Sequence, residues 1–140
     1  MKETVGRSVG MLSNLIRRHF STFSFHDALS GAQGKVLHFI LVRGSECDVF
    51  QKDVEDEYRL RPPTATKILK EMEKNGLIRR EAVPYDARLK RIVATPKALQ
   101  YQDLIRESLE ETERTLTAGV SDEDLDTFFR VINQMIRNMS

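Results

Sequence analysis

RLRPPTATKILKEMEKNGLIRREAVPYDARLKR, residues 59–91, carries ten Lys or Arg against four Asp or Glu. That is a local balance of +6 in a chain of 140 residues whose formal net charge is +1, so the rest of the chain sums to −5. Segregated positive charge on a near-neutral chain is the electrostatic footprint of a polyanion-binding surface. The order of local signals within the stretch says what carries that charge. Pro62-Pro63 imposes a boundary, because a residue preceding proline is pushed out of the α region; this predicts a non-helical Pro62 and Pro63 as the first residue of a helix ending at Asn75-Gly76. In that helix Ala65, Ile68, Leu69 and Met72 recur at core spacing, while Thr64, Lys67, Lys70, Glu71 and Lys74 fall outside, with Thr66 at the border. Residues 77–83 and 91–95 are rich in Ile, Val and Leu and read as two strands joined by a long turn, residues 84–90, with Arg88 near its tip.

Upstream, Asp48 is a plausible N-cap for a helix to about Tyr58, with Phe50, Val54 and Tyr58 repeating every four residues. Two short helices around Leu60-Arg61-Pro62 make a helix-turn-helix, and the following hairpin makes it winged. Before it, Ser30 and Gln33 form a capping-box pattern opening a helix from Gly31 to Arg43 that buries Val36, Leu37, Ile40 and Leu41. A first helix over Val5 to Phe23 shows an apolar stripe through Val9, Leu12, Leu15, Ile16 and Phe20, and Ser24 to Leu29 breaks it. Downstream, Thr95-Pro96 predicts the start of one long helix to about Ala118, ended by Gly119, and Ser121 caps a last helix dense in Leu, Phe, Ile and Met. Residues 103–126 hold nine acids and two bases, a face that DNA would repel. The fold class is therefore mainly α (α+β), a single domain over residues 1–140: a winged helix-turn-helix DNA-binding lobe, residues 29–98, plus N- and C-terminal dimerisation helices, residues 1–24 and 99–140. The terminal stripes exceed what one chain of this size covers, which predicts a homodimer of C2 symmetry.

Other classes find little support. No run approaches the roughly 18–20 apolar residues of a membrane span, and the N-terminus lacks a signal-peptide pattern, so no membrane partner and a cytoplasmic location are expected. The chain has no G-x-S-x-G, P-loop, Gly-rich dinucleotide turn or H-E-x-x-H, which argues against an enzyme and leaves no cofactor implied. His19, His26 and His38 have no metal-ligand spacing, so no metal site is expected. The single cysteine, Cys47, cannot form an internal disulfide.

LSGAQGKVLHFIL (29–41), RPPTATKILKEMEKNGLIRR (61–80) and DARLKRIVATPKAL (86–99), in this order and spacing, resemble the MarR family of dimeric winged-helix regulators. The first is similar to the opening helix of that family's DNA-binding lobe, the second to its recognition helix and first wing strand, the third to its D-x-R-x-K/R wing signature. Ala94 and Ala98 stand where the family usually has Leu and Gly, and Pro62-Pro63 replaces the usual polar helix start. There, the helix beginning at Pro63 would present the amides of Thr64 and Ala65 to a phosphate.

The resemblance implies a transcriptional regulator that binds double-stranded DNA as a homodimer at a near-palindromic operator, as a repressor released by a small aromatic or phenolic effector. It implies that Arg88 enters the minor groove and that Asp86 braces the hairpin by an ion pair. Thr64, Thr66 and Lys67 are candidates for major-groove contacts, and Lys70, Lys74, Lys90 and Arg91 for phosphates. An effector crevice would draw on Leu12, Ile16, His38 and Tyr101. Redox sensing through Cys47 is disfavoured, since the family's peroxide-sensing cysteine sits on the first helix. The alternative function is a winged-helix protein-interaction adaptor without sequence-specific DNA binding.

Overall fold

The structure, a computed structural model, describes residues 2–21 and 31–140. The expected break at Ser24 to Leu29, the cap at Ser30, and Phe23 and His26 lie outside the described residues. Seven helices and one hairpin are present among them: α1 (Val5–Ser21), α2 (Gly31–Gly44), α3 (Gln51–Tyr58), α4 (Pro62–Lys74), β1 (Ile78–Val83), β2 (Asp86–Ala94), α5 (Pro96–Leu99), α6 (Gln102–Thr117) and α7 (Asp122–Met139). The chain divides into two compact units within α6, Met1–Ser108 and Leu109–Ser140.

In the first unit, the apolar faces of the amphipathic elements meet. Val36, Leu37 and Ile40 of α2, Val54 of α3, Ala65, Leu69 and Met72 of α4, and Leu77, Ile78, Val83 and Ile92 around the hairpin are all buried. Removing each large side chain from water contributes about 2 kcal/mol. Ile68 and Leu41, expected in the core, are half-buried at its margin. Tyr58 anchors α3 on α2 by donating its hydroxyl to the Lys35 carbonyl, 2.8 Å away.

Several helix ends follow from their residues. Gly76 sits at φ +75°, and the Leu77 amide returns to the Met72 carbonyl (2.9 Å) as the Gly76 amide returns to Glu73 (3.0 Å). This is a Schellman stop, with Leu77 supplying the buried residue after it. Thr95 accepts from the Ala98 amide at 3.3 Å and Ser121 from the Asp124 amide at 3.1 Å, so both expected caps form. Gly119, at φ +78°, follows α6.

Four expectations are corrected. Asp48 does not cap α3: the N-cap is Phe50, whose amide donates to the Asp53 carboxylate at 2.9 Å. That is half of a capping box, since phenylalanine offers no acceptor in return. Pro62 is the first helical residue of α4 and Arg61 its N-cap, so the pre-proline restriction acts on Arg61, which is extended at ψ 149°.

The single long helix after Thr95 is instead α5 and α6. The amides of Gln100 and Tyr101 bond three residues back, to Lys97 and Ala98, before the Ile105 amide resumes with Tyr101. Ala98 and Tyr101 are both buried, and a three-residue spacing of buried positions suits a 3₁₀ turn better than an α turn.

The hairpin turn is Pro84-Tyr85 alone, because Val83 pairs with Asp86. Residues 87–89 have no Cα partner in β1, so Arg88 lies in a bulge of β2 next to the turn and not at a loop tip.

The wing is held to the helices by a short third rung: the Ile92 amide donates to the Val49 carbonyl at 2.7 Å. In the second unit α7 is a strongly amphipathic helix, yet none of its residues is buried in the single chain. Phe128, Phe129, Val131, Ile136 and Met139 are exposed there, as are Val5, Val9, Met11, Leu12 and Leu15 of α1 in the first unit. No helix among the described residues is long and apolar enough to cross a membrane.

Candidate nucleic-acid interface

The outer face of α4 follows from its periodicity. With Ala65, Leu69 and Met72 turned inward, Thr64, Lys67 and Lys70 are left exposed and Thr66 half-exposed. Pro62, Pro63, Thr66, Lys67, Lys70 and Glu71 line an open hollow of about 570 Å³ along this face. Among the described residues Lys67, Lys70, Lys74 and Lys90 make no ion pair within 4 Å, so their charges face only solvent. Four unneutralised ammonium groups, three on α4 and one on β2, are what counterion release from a polyphosphate requires.

The start of α4 does not work as expected. Pro62 and Pro63 have no amide hydrogens, and the amides of Thr64 and Ala65 both donate to the Arg61 carbonyl at 3.1 Å. Residues 62–65 therefore leave no backbone donor for a phosphate at this helix start. Anion contacts here fall to side chains, while Pro63 offers an apolar surface in the hollow.

The wing contains two arginines in contrasting states. Asp86 accepts the Arg88 amide at 2.9 Å and the Arg88 guanidinium at 3.3 Å through each carboxylate oxygen. These bonds close the bulge and hold the Asp86 carboxyl below its ordinary range. The Arg88 side chain remains 89 % exposed, so the pairing aims it without hiding it.

Arg91, expected among the phosphate-binding residues, is instead engaged by two carboxylates. Its guanidinium meets Glu81 across the hairpin at 2.9 and 3.1 Å, and Asp48 at 3.3 Å. Arg79 adds a 2.8 Å bond to the other Glu81 oxygen. Bonds from Arg79 and then Arg91 depress the Glu81 carboxyl below its ordinary value. Tyr85 at the turn donates to the second Asp48 oxygen at 2.9 Å. Asp48 thus ties the segment before α3 to the turn of the wing and to the middle of β2.

Gln51 was equally hidden in the sequence. Its amide nitrogen lies 2.8 Å from the Thr66 hydroxyl and its oxygen 3.4 Å from Arg80, joining α3, α4 and β1. Asp48, Glu81 and Tyr85 carry no motif, and only the register Glu81 opposite Arg91 would have hinted at their partners.

The four crevice candidates differ among themselves. Leu12 is exposed, Ile16 and His38 half-buried, and Tyr101 buried. None lines the hollow on α4 or the cleft of about 450 Å³ between the end of α2 and the wing. In that cleft Arg79, Glu81, Arg91 and Asp48 are satisfied by one another. Cys47, also at its edge, is exposed and accepts from Arg43 Nε at 3.2 Å.

A helix-turn-helix whose second helix presents a basic face, followed by a hairpin with an exposed arginine, defines a winged helix-turn-helix protein. Residues 29–89 match the sequence model of the MarR family. The chain is similar in fold to the transcription regulator MarR from Oenococcus oeni, with 26% identity, a TM-score of 0.84, and 96% of this chain and 99% of that one covered. The S. aureus MepR–DNA complex is similar over 98% of this chain and 97% of its own, at 20% identity and a TM-score of 0.87. A putative MarR family regulator from Listeria monocytogenes, solved with a 26-mer DNA, matches over 99% and 90% at 21% identity and a TM-score of 0.83. By the sequence model over residues 29–89 and by its fold, the chain is similar to the MarR family of winged-helix transcriptional regulators. Members of that family are regulators and not enzymes.

Proposed function

We propose that this chain is a cytoplasmic, sequence-specific DNA-binding repressor that works as a homodimer on a near-palindromic operator and responds to a small aromatic or phenolic effector. The observation that carries the DNA-binding part is the unneutralised cationic face of Lys67, Lys70, Lys74 and Lys90 beside the aimed, exposed Arg88. The S. aureus and Listeria relatives, both solved with DNA, support the same reading.

Residues 29–98 act as the winged-helix lobe and residues 1–24 and 99–140 as dimerisation helices of one functional domain. Pro63, Thr64, Thr66 and Lys67 address the major groove, Lys70 and Lys90 the phosphates, and Arg88 the minor groove, with Asp86 bracing the bulge. Arg91 is assigned to holding the wing, because binding a phosphate would strip it from Glu81 and Asp48.

The dimer is supported by the exposed apolar stripes of α1 and α7. An 18-residue helix that buries none of its Phe, Val, Ile and Met side chains in its own chain gains its stability by covering them elsewhere. Effector binding would act by favouring a state of the dimer that no longer fits DNA, which requires tighter binding to that state. Leu12, Ile16, His38 and Tyr101 are proposed to contribute to its crevice.

Light scattering and fluorescence anisotropy test the reading together. The expected mass is about twice 16.1 kDa, with one genomic duplex held at physiological salt against excess shuffled competitor. A monomer at micromolar concentration overturns the dimer. Equal binding to all duplexes overturns specificity and favours a protein-interaction adaptor.

A further inference from the structure

We propose that Gln51 is a positioning residue for base recognition: it fixes the Thr66 hydroxyl as a hydrogen-bond donor toward the groove. The inference rests on the DNA-binding reading above.

Gln51 is the first residue of α3 and half-buried. Its Nε2 lies 2.8 Å from Thr66 Oγ1, 3.1 Å from Glu55 Oε2 and 3.5 Å from the Pro62 carbonyl, while its Oε1 lies 3.4 Å from Arg80 Nη2. The neighbours settle which way the amide faces. A guanidinium only donates, so Arg80 must meet the oxygen; a carboxylate and a carbonyl only accept, so Glu55 and Pro62 must meet the nitrogen. Thr66 therefore receives an N–H, and its oxygen is in use as an acceptor.

An N–H bonded to a hydroxyl oxygen polarises that hydroxyl to donate its own proton. Thr66 lines the hollow on α4 with Lys67 and Lys70, the face assigned to the groove. A donating hydroxyl suits base edges that offer acceptors, namely purine N7, guanine O6 or thymine O4, and not the N4 amine of cytosine. A threonine without such a partner donates or accepts equally well. Gln51 thus sets a base preference without reaching DNA. Through Arg80 the same amide also ties the first wing strand to the recognition helix.

The test compares base preferences selected from a random duplex pool by the wild type, Gln51→Glu, Gln51→Ala and Thr66→Val, with melting curves alongside. In Gln51→Glu the new carboxylate accepts the Thr66 proton and leaves the hydroxyl oxygen facing the groove. The preference at one position of each half-site is then expected to move by about fivefold toward an amine-bearing base. Gln51→Ala and Thr66→Val are expected to relax that same position and no other. A merely structural role predicts weaker binding spread over all positions with the profile unchanged, and that result overturns the proposal. Should Gln51→Glu fail to fold, Thr66→Val decides alone: an unaltered profile means that no hydroxyl is read. A wild type that selects no sequence brings down the DNA-binding reading itself, which is distinguishable from a selective wild type with indifferent Gln51 variants.

Discussion

Lys90 and Arg91 are adjacent cations on β2, and replacing each by alanine should have opposite consequences. Lys90 is exposed and makes no ion pair among the described residues, whereas Arg91 is held by Glu81 at 2.9 Å and Asp48 at 3.3 Å. If Lys90 meets a phosphate in each half of a dimer, Lys90→Ala removes two contacts. The slope of log Kobs against log salt then becomes shallower by about 1.8, from about 0.9 per phosphate. Stability should stay within about 0.5 kcal/mol, as for most surface substitutions.

Arg91→Ala should leave the slope unchanged and weaken the fold instead. The Arg91 side chain is 40 % exposed and its partners Asp48 and Glu81 are 35 % and 29 % exposed, so solvent screens both pairs. At a few tenths to 1 kcal/mol for each exposed pair, the loss comes to about 1 kcal/mol. The Ile92 to Val49 backbone bond survives the change and limits the damage. For a domain of this size the melting temperature should fall by about 4 °C. Anisotropy titrations across a range of KCl concentrations, paired with thermal melts, read both quantities. An Arg91→Ala slope as shallow as that of Lys90→Ala would refute the assignment of Arg91 to the wing scaffold.

Arg88→Ala should lower affinity by about 1–3 kcal/mol with little change in melting temperature, since its pairing with Asp86 is at the surface; unchanged affinity removes the minor-groove contact. Arg59 ends α3 in the left-handed region at φ 53°, so Arg59→Gly should raise stability by up to about 1 kcal/mol in a thermal melt. The Tyr58 hydroxyl is pushed up to about 12 from 10.0 by burial and by nearby Glu57. Its stabilising contribution is complete below pH 10 and lost as pH rises through the folded value, so an ultraviolet titration should show a step near pH 12 that Tyr58→Phe abolishes. Phe128→Glu should place a charge in the exposed stripe of α7, shift the light-scattering mass toward that of a monomer, and weaken operator binding with it.

Signals confined to one helix or one turn were legible in the sequence. Thr95-Pro96, Ser121 and Gly76 act through residues a few positions away, and the three- and four-residue spacing of Ala65, Leu69 and Met72 announced which face of α4 is buried. What escaped depends on partners far along the chain. Asp48 looks like a helix cap, yet its oxygens go to Tyr85 and Arg91, 37 and 43 residues away. The same blindness made Arg91 look like a free cation and left Gln51 unnoticed.

The turn misled for a different reason. Pro84-Tyr85 is not an Asn-Gly type signal, and the Asp86–Arg88 bonds fold residues 87–89 into a bulge that counts as loop in a linear reading. At the helix start, the restriction on a residue before proline pointed to Pro63 as the first helical residue, whereas the Arg61 carbonyl's bonds to Thr64 and Ala65 start the helix at Pro62.

Selection of duplexes from a fully random pool by the wild-type chain tests sequence-specific recognition by a pair of winged helices most directly. The expected outcome is enrichment of a near-palindrome whose half-sites lie about one helical turn, roughly 10 base pairs, apart. A pool that stays unenriched at physiological salt, or that yields only a single unpaired half-site, would contradict it.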